Sequence, residues 1–288
     1  MSADIIRNRR LQSASIKETA LILDASSFQY RAFYASNTRP TYTKDGVPNY
    51  AVNLFRTMLL KLRKDHRPTY MVAALDCKEP TFRTELYPQY KATRRTPPDE
   101  YVAQLPGFLS ILREFHIPVY GMAGYEADDI IGTLSQRIEC DVVIASGDKD
   151  MAQLVEWSGR VKLLNTNKNK ILDAAGVNEE YGVYPSQVID YLSLVGDTSD
   201  NVPGCKGIGP SGALCLLKTF GSVEEIIKRA GEIEVSRWRH AVMCYSDMIL
   251  LSKRLVTIDC EVLGVIAALD GELNGKENEE AHANTETA

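Results

Sequence analysis

The sequence predicts an α/β fold, a mostly parallel sheet with helices on both faces, followed by a smaller helical part. Two observations carry this. Short, branched apolar runs alternate with segments of helical periodicity up to about residue 175, and beyond that point only helical runs remain, interrupted by a glycine-rich loop. Strands that alternate with helices are joined by crossovers, which cover both faces of a parallel sheet.

Five runs read as buried strands: "ALILD" at 20–24, "YMVAALD" at 70–76, "IPVYG" at 117–121, "VVIAS" at 142–146 and "VKLLN" at 161–165. They are short, rich in branched apolar residues and mostly bounded by polar residues or glycine. Between them, 49–64 carries Val52, Phe55, Leu59 and Leu62 at helical spacing, and 101–115 carries Leu105, Leu109 and Leu112. A third helix is expected over 126–139. Further on, "PSQVIDYLSLVG" (185–196) and "PSGALCLLKTFG" (210–221) flank the loop "DTSDNVPGCKGIG", with more helix to about 256. The expected organisation is a polar tail at 1–19, an α/β core at 20–175, a helical subdomain at 176–265 and an acidic, disordered tail at 270–288.

Composition narrows the class. A chain of 288 residues with 44% hydrophobic and 25% charged content is ordinary for a soluble globular protein. No apolar run approaches the ~20 residues of a membrane span, and the start lacks the apolar core of a signal peptide. Six scattered cysteines without a CxxC pair suit a reducing cytoplasm, and four histidines show no metal-binding spacing. Any metal here is therefore a hard one held by oxygen. The net charge of −5 is accounted for by the stretch from Asp270 onward, with six acids and one Lys. By contrast, residues 56–95 hold ten basic side chains against four acids, a footprint for phosphate if they share a surface.

Acids follow the strands. Asp24 ends the first, Asp76 the second; Glu126, Asp128 and Asp129 open the third helix in "YEADDIIG"; Asp148 and Asp150 follow the fourth strand; Asp197 and Asp200 lie in the helical part. A helix N-terminus accommodates one or two acids, and a single Asp after a strand reads as a cap. Repetition at four strand ends goes beyond capping. Converging like charges favour protonation unless cations balance them. Mg²⁺ takes oxygen ligands, and two such ions ~4 Å apart form a clamp for phosphodiester cleavage.

Other motifs point to nucleic acid. In "NVPGCKGIGPSGA", Gly204, Gly207 and Gly209 with Ile208 make a turn whose backbone N–H groups, with the next helix N-terminus, suit a phosphate. "FRTELYPQYKATRR" offers Phe82, Arg83, Tyr90, Lys91, Arg94 and Arg95, aromatics interleaved with bases as for stacking and phosphate contact. Arg31 lies just beyond the first strand. Most other tyrosines and both tryptophans read as packing residues.

Taken together, "LDASSFQYRAFYA", "LDCKEPTFRTELYPQYKATR", "YEADDIIGTL", "SGDKDMAQLV" and "YLSLVGDTSDNVPGCKGIG" resemble the 5′-nuclease domain at the N-terminus of bacterial DNA polymerase I and the related stand-alone flap endonucleases. The motifs come in the family's order over about residues 20–260. The resemblance implies a PIN-like, resolvase-like core, a helical arch near 83–115 and a helix-hairpin-helix type subdomain. It implies divalent-metal cleavage of DNA at 5′ ends and 5′ flaps, leaving a 5′-phosphate and a 3′-hydroxyl, in replication and repair. All nine acidic positions of the pattern are acidic here, so two Mg²⁺ sites, with Mn²⁺ as a substitute, are expected. By resemblance Tyr90 stacks on a nucleotide, Lys91 and Arg94 face the scissile phosphate, Asp128 and Asp148 belong to the reaction centre, Arg31 contacts substrate, and the glycine hairpin grips duplex with K⁺ on its carbonyls. Ser211 stands where the family usually has Lys, so one backbone contact is missing. The sequence stops where polymerase I continues, so a DNA polymerase partner would act in trans. A cytoplasmic monomer acting on DNA, and on RNA primer ends, is the expectation.

Two rivals fit less well. In a topoisomerase–primase-type enzyme Asp148 and Asp150 would form the Asp-x-Asp pair, but Asp197 and the glycine hairpin stay unexplained. A non-catalytic DNA-structure-binding protein gains nothing from carboxylates that repel phosphate.

Overall fold

The computed structural model describes residues 18–36 and 41–269. Both expected tails fall largely outside that range. Strand β1 (Thr19–Asp24) runs into helix α1 (Ala25–Ser36) without a linker; α2 (Tyr50–His66), β2 (Tyr70–Ala74), α3 (Phe82–Leu86), α4 (Asp99–Val102), α5 (Leu105–Glu114) and β3 (Val119–Tyr120) follow. Then come α6 (Ala127–Arg137), β4 (Asp141–Ser146), a 3₁₀ turn (Asp150–Leu154), β5 (Val161–Asn165), β6 (Lys170–Leu172) and α7 (Ala174–Tyr181). The helical part comprises α8 (Val188–Val195), α9 (Pro210–Phe220), α10 (Val223–Lys228) and α11 (Ser236–Val256).

The six strands lie in the order β3-β2-β1-β4-β5-β6. The first five are mutually parallel, and β6 pairs antiparallel with β5. Chain order reverses between β1 and β4, so a crevice opens beyond their carboxyl ends, where ligands of open parallel sheets gather. β1 is central and fully covered: Leu21 and Leu23 pack on one face with Phe28, Phe55 and Phe108, while Ala20 and Ile22 pack on the other with Ile130, Ile131 and Leu134. The two-residue alternation of a strand divides these side chains between the two cores. The second core continues into α8, α9 and α11, through Leu192, Leu216 and Ile249.

Three expectations change. The third strand is reduced to Val119–Tyr120, and β6 adds an antiparallel edge that its short sequence did not announce. Over the expected helical arch, residues 82–114 form three short helices with turns at 87–98. Pro88, Pro97 and Pro98 explain the interruption, because proline lacks the donor a helix interior needs. Among the described residues no helix is long and apolar enough to cross a membrane.

Asp173 caps α7, its Oδ1 accepting from the Gly176 N–H at 2.8 Å. Asp173→Ala should therefore lower stability by ~1 kcal/mol, a shift readable by thermal melting; an unchanged midpoint would show the cap to be idle.

Candidate active site

The acids of the sheet edge are held by short local bonds. Asp24, buried at the end of β1, accepts from the Ser27 N–H at 2.9 Å and from Ser146 Oγ, at the end of β4, at 2.6 Å. It thus caps α1 and spans the strand switch at once. Asp76 accepts from the Ala127 N–H at 2.9 Å, pinning the loop after β2 to the start of α6. Asp148 N–H donates to Ser146 Oγ at 3.0 Å, and its carboxylate accepts from the Asp150 N–H at 2.8 Å. In the loop after α8, Asp197 accepts from the Ser199 and Asp200 N–H groups at 2.6 and 3.1 Å.

Cations face these acids. Lys91 Nζ lies 2.6 Å from Glu126 and 3.7 Å from Asp200, and Arg94 pairs with Asp200. Lys149 Nζ lies 2.6 Å from Asp197. Lys91 adopts φ 54°, a left-handed backbone uncommon for a side chain of its size, and its N–H donates to the Asp200 carbonyl at 2.9 Å. Segment 89–94 is thereby docked on the 197–202 loop, with Asn201 Nδ2 donating to the Gln89 carbonyl at 2.7 Å.

Electrostatics divide the acids into two overlapping groups. Burial pushes the Asp24 carboxyl up to about 6, with Asp76 and Asp148 adding to it. Burial also raises Asp128 well above the usual range, helped by Asp148, Asp24 and Glu126. Burial raises Asp148, with Asp200 and Asp197 adding to it against the lowering bond from the Asp150 N–H; burial also raises Asp150, helped by Asp148, Asp197 and Asp200. Burial acts on Asp197 in the same direction, but bonds from Lys149 and Ser199 outweigh it and hold this carboxyl low. Asp148 is the member that both groups feel.

The gathering is looser than nine converging carboxylates. Among the described residues no three His, Cys, Asp or Glu side chains are set to hold an ion as they stand. Lys91, Arg94 and Lys149 instead engage Glu126, Asp200 and Asp197 directly. Among the described acids, Asp150 Oδ1 is buried without a hydrogen-bond partner. A buried anionic oxygen without a donor suits a cation, as do acids whose charge the surroundings oppose.

Several expected contact residues turn inward. Arg83 is 2% exposed and bonds Asp129, not solvent. Tyr90 is buried, its hydroxyl within hydrogen-bond distance of Glu126 at 3.0 Å and of Asp200 at 3.2 Å, so its ring is not available for stacking in this arrangement. Phe82 packs against Tyr125, and Arg31 donates to the Thr166 carbonyl at 2.8 Å while lying over Phe28. Gly204 and Ile208 are buried, whereas Gly207, Gly209 and Arg95 are exposed. Sequence reading passed over Lys149, although its place between two acids in "GDKD" was a signal. It also passed over the ladder of Tyr34, Tyr30 and Tyr101, with Tyr30 stacked on Tyr101 at 4.5 Å and on Tyr34 at 6.4 Å. Tyr34 is 62% exposed, and Tyr30 senses both Asp76 and Arg94.

An open, mostly parallel sheet with acids at its switch point, joined to a helical part, is the architecture to be compared with known proteins. Residues 19–182 match the 5′-3′ exonuclease N-terminal resolvase-like domain, and residues 183–279 match the 5′-3′ exonuclease C-terminal SAM fold. The chain belongs to the 5′-3′ exonuclease family. It is 41% identical over 214 residues to the 5′-3′ exonuclease of Aquifex aeolicus, covering 73% of each protein. It is 39% identical over 249 residues to DNA polymerase I of Caldicellulosiruptor bescii, covering 84% of this chain and 29% of that one. The chain thus spans under a third of the length of such polymerase relatives. Among solved structures, T5 5′-exonuclease with bound zinc superposes with a TM-score of 0.71 at 19% identity, over 91% of this chain and 98% of that one. A T5 flap endonuclease complex with DNA and metal ions gives 0.67 at 20% identity, over 91% and 97%. These likenesses show a shared fold. The family match leaves the topoisomerase–primase reading without support.

Proposed function

We propose that this chain is a structure-specific, divalent-metal-dependent 5′ nuclease that hydrolyses DNA at 5′ ends and 5′-flap junctions, leaving a 5′-phosphate and a 3′-hydroxyl. The observation that carries it is the pair of acid groups sharing Asp148 at the strand switch, faced by Lys91 and Arg94. Asp24, Asp76, Glu126, Asp128 and Asp148 would hold one Mg²⁺, and Asp148, Asp150, Asp197 and Asp200 a second. When bound, such ions supply charge stabilisation to the entering and leaving oxygens of an in-line displacement.

The chain's own groups do the rest. Lys91 and Arg94, now paired with Glu126 and Asp200, stand ready to exchange those carboxylates for the scissile phosphate and stabilise its developing charge. Lys149 can likewise release Asp197 for ligation. The exposed face of Tyr34 and Tyr30 offers a stacking surface to an unpaired base beside the acids. Gly207 and Gly209 present backbone to a duplex phosphate, and the turn's carbonyls are a candidate place for K⁺.

The T5 flap endonuclease complex holds DNA and metal ions in the same fold, and the polymerase relatives suggest primer or flap removal, with RNA ends as candidate substrates and a DNA polymerase as candidate partner. The test is a 5′-labelled flap duplex with Mg²⁺, alongside an EDTA control. A short product mapping to the junction, absent with EDTA, is expected. Binding without product in Mg²⁺ and in Mn²⁺ would leave the DNA-structure-binding reading in its place. Lys91→Ala should lower the single-turnover rate about 100-fold, roughly 2.7 kcal/mol of barrier, with little change in DNA affinity. A rate within threefold of the unaltered enzyme would remove Lys91 from the reaction.

A further inference from the structure

We infer that Asp129 and Arg83 are positioning residues, a buried clasp that braces the acid-bearing end of α6 against the strap that follows α11, rather than a metal ligand and a DNA contact. The inference rests on the nuclease reading above and concerns how its acids are held in place.

Asp129 has no free acceptor position. Its Oδ1 accepts from Arg83 Nη2 at 2.8 Å and from the Asp259 N–H at 2.8 Å. Its Oδ2 accepts from Arg83 Nη1 at 2.7 Å and from the Glu126 N–H at 3.0 Å. A carboxylate offers about four lone-pair directions, and all four are taken. The side chain is 0% exposed. Metal ligation by Asp129 would require breaking a bidentate, charge-assisted pair in the interior.

Arg83 is equally committed. Beyond Asp129, its Nε donates to the Leu255 carbonyl at 2.7 Å and its Nη2 to the Thr257 carbonyl at 2.8 Å, while Nη1 lies 3.4 Å from Glu126. Both side chains therefore converge on residues 255–259, the strap leaving α11. That strap reaches two of the elements that carry site acids. Gln153, in the 3₁₀ turn opened by Asp150, donates to the Val256 carbonyl and accepts from the Ile258 N–H, each at 3.0 Å. On α6, Thr133 Oγ1 accepts from the Val262 N–H at 3.2 Å. Gly132 admits the strap so closely that a Cβ there would lie 2.7 Å from Ile258 Cγ2.

The same clasp fixes the N-cap of α6. Glu126 and Asp129 form a reciprocal capping box, so the backbone that aims Glu126 and Asp128 is locked by the residue that Arg83 holds. Placement of the acids thus depends on a segment of the helical part lying more than a hundred residues further along the chain.

The full chain is compared with Asp129→Asn, with Gln153→Met, which loosens the strap while leaving the Arg83–Asp129 pair intact, and with Asp148→Asn as a ligand control. Mn²⁺ binding is titrated calorimetrically on the DNA-free proteins, and kcat and KM are measured on the 5′-flap duplex. Asp129→Asn should lower kcat at least tenfold, and Gln153→Met severalfold. In both, KM stays within threefold, the Mn²⁺ dissociation constant rises less than in Asp148→Asn, and excess Mn²⁺ does not restore the rate. Asp148→Asn should weaken Mn²⁺ binding. A tenfold loss of Mn²⁺ affinity in Asp129→Asn, with the rate recovered at high metal, would make Asp129 a ligand and overturn the inference. Unchanged kcat in Gln153→Met would overturn the brace even if Asp129→Asn failed to fold. An unaltered chain that neither bound Mn²⁺ nor cleaved would remove the nuclease reading, and the clasp's role in it, together.

Discussion

Asp148→Ala is expected to lower metal-dependent cleavage by about 10³-fold or more, the loss of roughly 4 kcal/mol of transition-state stabilisation. Asp148 sits at the junction of both acid groups. Its charge opposes ionisation of Asp128 and of Asp150, and its N–H bonds the Ser146 hydroxyl that in turn donates to Asp24. On the proposed assignment its removal takes one ligand from each group of acids, where replacing any other of these acids would affect one. DNA binding should not suffer, because this carboxylate repels phosphate; affinity should hold or tighten slightly. Single-turnover cleavage and equilibrium binding in EDTA, measured side by side, separate the two effects. A Mg²⁺-dependent rate within tenfold of the unaltered protein would sink the shared-acid assignment.

The strand ends were legible because a buried parallel strand is a nearly continuous apolar run, so an Asp that closes it stands out. Asp24 and the pair Asp148 and Asp150 stand out at the ends of "ALILD" and "VVIASGDKD", and it is the repetition over four strand ends that separates them from ordinary caps. Local pattern carries no record of distant partners, and this is where the reading stopped. Arg83 sits in a basic, aromatic stretch that reads as surface, yet its acceptors lie at Asp129, Leu255 and Thr257. Asp129 resembles its neighbours Glu126 and Asp128 in type and differs only in where the helix turns it. Tyr90 reads as a stacking aromatic until Glu126 and Asp200 are seen to hold its hydroxyl. Helix α1 was missed for a different reason. It starts directly at Asp24, with no loop between strand and helix to mark a boundary.

Gly204→Ala tests the other half of the molecule, where glycine is required by close backbone approach. Gly204 adopts φ 62° and is buried, and a Cβ there would lie 2.5 Å from the Gly196 nitrogen and 2.7 Å from the Val195 carbonyl carbon. The obstacle is backbone, so no rotamer change relieves it. Gly196, with φ 75°, is reciprocally crowded, its Cβ position falling 2.5 Å from the Val202 carbonyl oxygen. The two glycines let the end of α8 and the hairpin cross at contact distance, which also sets the Asp197–Val202 bridge that carries Asp197 and Asp200. Strain at a positive φ costs ~1 kcal/mol and the clash ~2–3 more, so a loss of about 3–4 kcal/mol is expected. For a chain of this size that corresponds to a fall of roughly 6–16 °C in the melting midpoint. Gly207→Ala is the comparison, because Gly207 has a positive φ with no neighbour closer than 3.9 Å, so it should lose only the conformational part. Equal losses in the two variants would mean that φ alone, and not the crossing of the two backbones, demands glycine at position 204. A selective loss in Gly204→Ala, accompanied by weaker cleavage, would tie the hairpin's packing to the placement of the acids beside it.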